Sequence, residues 1–321
     1  MRIGIAGATG IVGRELVSLL ATSKLEVTEL RLSATTRSKG IMVATPFGKQ
    51  NITELNADFF PGLDLCFFCV SASVSEKWVP VAKDQDVVAI DNSSCYRLED
   101  DVPLIVPEVN GEHLGQGEMI IANPNCIVTP LVVALNPVKN LFGLEELCLS
   151  TYQSVSGAGQ KALDQLEDEI DKHPGPSRDG QFLLNVLGSI GSIDSYGHSQ
   201  EEIKIINETR KILDLPDLPM AVTAARVAVK RGHCQAVTFI TKRWASTEEI
   251  RKVMEAGGII VTDIPPQPLA LGGSDCVYAG RLRENKEHRP RSYSLWVGAD
   301  NLRKGAALNA LKIAEEWWFH Q

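Results

Sequence analysis

The opening strand and the glycine loop behind it constrain this chain more than any other feature. Arg2 to Ala6 is a short apolar run, and Gly7-Ala-Thr-Gly-Ile-Val-Gly13 follows at once. Glycines at 7, 10 and 13 let a backbone turn tightly and approach a pyrophosphate at a helix N-terminus. A helical spacing then runs through Val12, Leu16, Leu19 and Leu20. GxxGxxG is a weak textual match to a dinucleotide fingerprint; its place between a first strand and a first helix gives it weight. A glycine-rich turn without a ligand is the competing reading of the loop alone.

A length of 321 residues suggests about two domains. With 44% hydrophobic and 22% charged residues, there is enough apolar chain for two cores. The net charge of −8 argues against nonspecific binding to nucleic acid or to an anionic membrane. No apolar stretch approaches the roughly 20 residues of a membrane span, and Met1 to Ile5 enters a strand without a signal-peptide core. Seven cysteines at irregular spacing, with Cys66 and Cys69 inside an apolar run, fit reduced thiols and a cytoplasmic location. No metal site is expected.

Strands are expected at Glu29–Ser33, Leu63–Val70 and Val87–Asp91, and their alternation with helices predicts a doubly wound parallel sheet. Farther on, Cys148–Gln153, Ala221–Val229 and Ala236–Arg243 read as strands and Lys161–Lys172 as a charged helix. Residues 173–196, rich in Gly, Pro and Ser, read as an excursion toward a partner subunit. Ser246–Ala256 has a capping box, Ser246 with Glu249. Val277–Arg283 and Ser292–Val297 alternate as antiparallel strands, and a last helix is expected over Arg303–Trp317. The fold class is α/β, a Rossmann-like domain followed by an α+β domain with a largely antiparallel sheet.

The stretch after the second strand has no acid for a ribose 2′-hydroxyl. It offers Leu32-Ser-Ala-Thr-Thr-Arg-Ser-Lys39, hydroxyls with two cations, which suits a 2′-phosphate and favours NADP; a solvated basic turn is the alternative. Cys126, in Asn123-Pro-Asn-Cys126, is the candidate nucleophile, with Asn125 able to supply an amide donor. The apolar run 131–135 predicts a helix starting near the thiol. Pro130 either removes a hydrogen bond from the first turn or follows Thr129 as cap. His233 is set apart by a glycine-containing turn between two apolar strands, seven residues after Arg226; His113, His173, His198, His288 and His320 read as structural. Glu201, Lys204, Glu208 and Lys211 form one helical stripe, which by spacing is a solvated face. Arg97 follows Asp91-Asn-Ser-Ser94 at the carboxyl end of a strand, where such sheets bind ligands.

Gly7-Ala-Thr-Gly10, Asp91-Asn-Ser-Ser94, Val106-Pro-Glu-Val-Asn110, Asn123-Pro-Asn-Cys126, Ser150-Thr-Tyr-Gln153, Val155-Ser-Gly-Ala-Gly159, Asn207-Glu-Thr-Arg-Lys211, Gly232-His233 and Asp300-Asn-Leu-Arg-Lys-Gly-Ala-Ala307 occur in this order. Together they resemble the aspartate-β-semialdehyde dehydrogenase family over nearly the whole chain. The resemblance implies Cys126 as nucleophile, His233 as acid/base, and Gln153 orienting the substrate. It implies Arg226 on the α-carboxylate, Glu201 on the ammonium group, and Arg97 and Lys204 on the phosphate. Gly7, Thr9, Gly10, Ile11, Val12, Arg37, Ser38, Ser156, Gly157 and Asn301 would contact NADP.

The implied reaction is NADPH-dependent reductive dephosphorylation of L-4-aspartyl phosphate to L-aspartate 4-semialdehyde. It leads toward lysine or diaminopimelate, threonine and methionine. The implied domains are 1–125 with 300–321 for the cofactor and 126–299 for catalysis and dimerisation, in a homodimer or homotetramer. An N-acetylglutamyl-phosphate or acyl-CoA reductase is the rival enzyme, against which Arg226 and Glu201 speak. A non-catalytic dinucleotide-binding paralogue is the other alternative, against which Cys126 and His233 speak.

Overall fold

A computed structural model describes residues 1–115, 117–172, 180–287 and 289–319; His173, His288 and His320 lie outside them, as does the first part of the 173–196 excursion. Contacts divide the chain into two compact units, Met1–Asn125 with Ala306–Gln321, and Cys126–Gly305. Among the described residues, no helix is long and apolar enough to cross a membrane.

The first unit is built on β1 (Arg2–Ala6), β2 (Glu29–Ala34), β3 (Met42–Thr45), β4 (Gly48–Glu54), β5 (Leu65–Phe68), β6 (Val88–Asp91) and β7 (Ile120–Ala122), in the order β3-β4-β2-β1-β5-β6-β7. Every pairing is parallel except that of β3 with β4. The central strands are continuous apolar runs because both their faces are covered; all four residues of β5 and of β6 are buried. Strands β3 and β4 were not expected from the sequence. β3 is a short Met-Val-Ala-Thr run and β4 is mostly polar, both with little buried surface, and their antiparallel hairpin adds an edge to the otherwise parallel sheet. Helices α1 (Ile11–Leu19), α2 (Ala72–Lys83) and α3 (Pro107–Asn110) belong to this unit.

So does the C-terminal helix, Leu308–Phe319, which buries Leu308, Leu311 and Ile313 in the same core as Ile3, Ile5 and Leu16. The Asn309 side chain also anchors it, donating to Asn123 Oδ1 at 2.7 Å and to the Ile105 carbonyl at 3.0 Å. The sequence predicted a helix from Arg303. The turn Arg303–Ala307 is instead π-helical, and the α-helix begins only at Leu308.

The second unit carries β8 (Leu144–Gln153), β9 (Val186–Leu187), β10 (Met220–Val227), β11 (His233–Thr241), β12 (Ile260–Thr262), β13 (Tyr278–Glu284) and β14 (Ser292–Ala299), ordered β12-β13-β14-β11-β8-β10-β9. Its pairings are antiparallel apart from β8 with β10 and β12 with β13. The helices are α4 (Val128–Phe142), α5 (Gln160–Lys172), α6 (Gln200–Leu213), α7 (Thr247–Ala256) and α8 (Pro268–Leu271). Every residue of α4 from Val128 to Leu135 is buried, so this helix is apolar all round and packs against α6, α7 and β14. At roughly 1.5–3 kcal/mol for each fully buried aliphatic side chain, α4 anchors whatever its N-terminus carries.

Candidate active site

Cys126 stands one residue ahead of Ile127, the N-cap of α4. Neither expectation for Pro130 holds. It occupies the third helical position, and Thr129 lies inside the helix rather than capping it. The first N–H groups of a helix have no intrahelical partner, so proline there removes no hydrogen bond. The Gln235 side chain donates to the Ile127 carbonyl at 3.2 Å, tying the peptide after the thiol to β11. Gly305, in the π-helical turn, lies against Cys126 so closely that a Cβ there would come within 2.7 Å of its carbonyl oxygen and 3.0 Å of its Cβ. Sequence reading missed this glycine, although it lies within the Asp300–Ala307 motif.

His233 is the first residue of β11 rather than part of the preceding turn, and it is 1% exposed. Its Nε2 lies 3.3 Å from Cys126 Sγ. On the other side of the ring, Nδ1 accepts the Ser154 N–H at 3.0 Å and lies 3.0 Å from Ser154 Oγ. Burial, then the charge of Arg226, pushes the His233 pKa well below the usual imidazole value. The neutral ring is therefore the resting form.

Arg226, near the end of β10, is buried and donates to the Ser154 carbonyl at 2.8 Å. Burial lowers its pKa, while the charges of Cys126 and Glu201 oppose that shift. Glu201 is in the first turn of α6 and accepts from Gln153 Nε2 at 3.2 Å. A capping box sets that helix start: Ser199 and Glu202 bond reciprocally, and Glu202 Oε1 also takes the Ala224 N–H at 2.9 Å. This second bond ties α6 to β10 two residues before Arg226. The stripe from 201 to 211 is not a solvated face, because Glu201 and Glu208 are buried while Lys204 and Lys211 are partly so.

Gly157 follows in the short turn after β8. A Cβ added there would meet Arg226 Nη1 at 2.9 Å and His233 Nε2 at 3.0 Å, so only glycine lets this backbone lie against both side chains. Ser156 and Asn301 bond to each other, Asn301 Nδ2 donating to Ser156 Oγ at 2.9 Å. Asp300 holds the loop bearing Asn301: it accepts from Arg231 Nε at 2.7 Å and from the Leu302 N–H at 2.9 Å. The second unit thus brings Cys126, Gln153, Ser156, Gly157, Glu201, Arg226, His233 and Asn301 into one connected cluster. Lys204 lies three residues beyond Glu201 on α6.

The first unit carries the glycine loop. Gly7 has φ +86°, and a Cβ there would strike the Cys69 carbonyl oxygen, so the turn out of β1 requires glycine. Gly10 caps α1 without a side-chain bond, leaving backbone N–H groups for an anion. A cavity of about 490 Å³ opens there, lined by Gly7, Thr9, Gly10, Thr35, Thr36, Glu54, Val70 and Trp78 among others. Ile11 and Val12 form the first turn of α1. Arg37, exposed, and Ser38 lie in the turn after Thr36, beyond the cavity lining. Glu54, which sequence reading missed because it arrives on the unexpected β4, accepts from Thr36 Oγ1 at 3.1 Å and pairs with Lys39 at 3.6 Å.

At the carboxyl end of this sheet, Arg97 is buried and donates to the Asn123 carbonyl at 2.9 Å and the Asn92 carbonyl at 2.8 Å. Asn125, also buried, ends the unit. Burial, helped by Asp91, pushes the Cys69 thiol on the cavity wall up to about 12. Among the described residues, no cluster of three or more His, Cys, Asp or Glu could hold a metal ion.

A dinucleotide-type glycine loop with its cavity in the first unit, and in the second a thiol 3.3 Å from a buried imidazole, are features of a dinucleotide-dependent enzyme. Residues 2–117 match the family model for the semialdehyde dehydrogenase NAD binding domain, and residues 135–304 match that for the semialdehyde dehydrogenase dimerisation domain. The chain belongs to the semialdehyde dehydrogenase family. It is 38% identical to aspartate-semialdehyde dehydrogenase of Aquifex aeolicus, over 98% of this chain and 97% of that one. Aspartate semialdehyde dehydrogenase II of Vibrio cholerae, solved in complex with ASA, is 33% identical with a TM-score of 0.93, covering 99% of this chain and 98% of that one. The Candida albicans enzyme solved with NADP is 25% identical with a TM-score of 0.76, over 98% and 97%.

Proposed function

We propose that this chain is an NADP-dependent aspartate-semialdehyde dehydrogenase, converting L-4-aspartyl phosphate and NADPH to L-aspartate 4-semialdehyde and phosphate. The observation that carries the reading is the 3.3 Å approach of Cys126 Sγ to His233 Nε2 beside the buried Arg226 and Glu201. A cation and an anion held in one desolvated cluster suit an α-carboxylate and an α-ammonium, the two charges of an amino-acid head group. An N-acetylated substrate would leave Glu201 without its cation.

Sulfur attack on the acyl phosphate carbonyl forms a thioester at Cys126 and expels phosphate, for which Arg97 and Lys204 are the proposed cations. The cofactor, when bound, supplies the hydride that reduces the thioester carbonyl. His233 takes the thiol proton as the sulfur attacks, gives it to the oxygen that the hydride leaves anionic, and takes it back from the thiohemiacetal hydroxyl as the C–S bond breaks, freeing the aldehyde and the Cys126 thiolate. Gln153 orients the substrate, and Asn125 offers an amide to the developing oxyanion. The open glycine loop and its cavity fit the cofactor's pyrophosphate. We assign Gly7, Thr9, Gly10, Ile11, Val12, Ser156, Gly157 and Asn301 to the cofactor, with the turn bearing Arg37 and Ser38 for the 2′-phosphate.

A homodimer is part of the proposal. The matched dimerisation domain supports it, as do the exposed apolar side chains Leu184, Val186, Ile193 and Tyr196. A cytoplasmic location also fits, where reduced cofactor and the seven free cysteines would coexist.

The deciding assay follows NADP reduction with aspartate semialdehyde and phosphate, beside N-acetylglutamate semialdehyde. Phosphate-dependent turnover of the first substrate is expected. Turnover of the second alone would overturn the substrate assignment.

A further inference from the structure

Ser154 immediately follows β8 and has no exposed surface. Each of its polar atoms is engaged with His233 or Arg226. Its N–H donates to His233 Nδ1 at 3.0 Å, its Oγ lies 3.0 Å from the same nitrogen, and its carbonyl accepts from Arg226 at 2.8 Å. One residue therefore meets Nδ1 with two different groups.

The direction of the hydroxyl follows from its neighbours. The Gly232 N–H donates to Asn301 Oδ1 at 2.9 Å, which makes that atom an acceptor. Ser154 Oγ is 3.1 Å from the same Oδ1 and donates to it. Its lone pairs are then left for Nδ1 and for Ser156 Oγ, 3.1 Å away. The imidazole nitrogen thus faces a fixed donor, the Ser154 N–H, and an acceptor, Ser154 Oγ.

These two neighbours select different protonation states of the ring. With Nδ1 accepting from the N–H, the single proton of the neutral imidazole is on Nε2, facing the sulfur. That tautomer has no lone pair at Nε2 with which to take a proton. With Nδ1 protonated and donating to Ser154 Oγ, Nε2 is free to take one, and the resulting imidazolium keeps the same Nδ1 bond.

We infer that Ser154 is the positioning residue for the acid/base step: its hydroxyl, aimed by Asn301, is the acceptor that Nδ1–H needs whenever His233 accepts or holds a proton at Nε2. This rests on the role proposed above for His233. The titratable and charged groups facing the ring are the Cys126 thiol from the segment entering α4 and Arg226 from β10. Glu201 of α6 lies on the arginine's side, and Arg231 is paired with Asp300 at the end of β14. Burial and Arg226 both oppose the imidazolium, so an acceptor at Nδ1 acts where the ring is least able to hold a second proton.

The test compares Ser154→Ala, Ser154→Thr and His233→Asn in kcat and KM across pH, with 15N spectra of the histidine rings. Ser154→Ala is expected to lower kcat about 10- to 100-fold with KM within about threefold. Its acid-side limb moves to lower pH, because the imidazolium has lost its acceptor, and its ring shifts to the pure Nε2–H tautomer. Ser154→Thr keeps the hydroxyl and restores the limb. An unchanged limb and unchanged ring signals in Ser154→Ala overturn the inference. Should that variant not fold, the wild-type spectrum decides: an Nδ1–H population supports the inference, and a pure Nε2–H ring at every pH in an active enzyme overturns it. If His233→Asn is fully active, the reading of His233 itself fails. If His233→Asn is inactive while Ser154→Ala is unaltered, only the role of Ser154 fails.

Discussion

In the first unit, the candidate ligand surface is mostly backbone: a turn at Gly7 that tolerates no side chain and a helix start at Gly10 with open N–H groups. In the second unit, it is side chain: Cys126, Gln153, Glu201, Arg226 and His233, the last two 7% and 1% exposed and tied through Ser154. The contrast follows from what each surface must recognise. A pyrophosphate needs several donors and no proton transfer, which a loop and a helix start provide. A thiol reaction needs one base at one distance, so its groups are buried and locked by hydrogen bonds. Small displacements should therefore cost turnover more in the second surface than in the first.

Substitutions should separate the two. Cys126→Ala removes the proposed nucleophile and is expected to lower turnover by at least about 10⁴-fold without unfolding the protein, as read in a phosphate-dependent NADP assay with a thermal melt. Gly157→Ala pushes a Cβ into Arg226 and His233. A displacement on the order of 1 Å at the reacting groups costs about 100-fold, so kcat should fall by about that factor. Equal activity of this variant would show that the contact between the turn and the catalytic pair relaxes. Gly7→Ala should act differently: a strained φ of +86° and a clash with the Cys69 carbonyl are expected to cost roughly 1–3 kcal/mol of stability. Weaker NADP binding, measured by fluorescence titration, should accompany that loss.

The low pKa of His233 adds a pH signature confined to the second unit. The unfolded chain binds a proton below about pH 6.5 that the folded chain refuses, so stability is full above that pH and falls as pH drops through it. The slope from one such group is at most about 1.4 kcal/mol per pH unit, and His233→Asn should remove it from urea melts between about pH 6.5 and 5. The smallest effect expected belongs to the first unit. Glu54, on the cavity wall and paired with Lys39, places negative charge beside the turn proposed for the 2′-phosphate. Glu54→Gln should raise the preference for NADP over NAD a few-fold, by roughly 1 kcal/mol, in the ratio of kcat/KM values.

The same contrast explains what could be read from the sequence. Continuous apolar runs marked β1, β5 and β6, because strands buried on both faces leave such patterns. The β3–β4 hairpin left none, since β3 is only four residues long and β4 is mostly polar with one buried residue, Ile52, and Glu54 was missed with it. The alternation near 280 and 295 did reveal the antiparallel pairing of β13 and β14. Cys126 and His233 were legible as nucleophile and base only through the resemblance, not from local pattern, for 107 positions separate them and the long-range β8–β11–β14 pairings position His233. Ser154 was invisible for a different reason. Its contribution lies in the direction of one hydroxyl, which follows from Gly232 and Asn301 and from no local pattern.

The most direct test of the central claim is mass spectrometry of the enzyme mixed with aspartyl phosphate in the absence of cofactor. The account predicts an aspartyl thioester on the peptide carrying Cys126, and on none of the peptides carrying the other six cysteines. An adduct elsewhere, or turnover retained in Cys126→Ala, would contradict it.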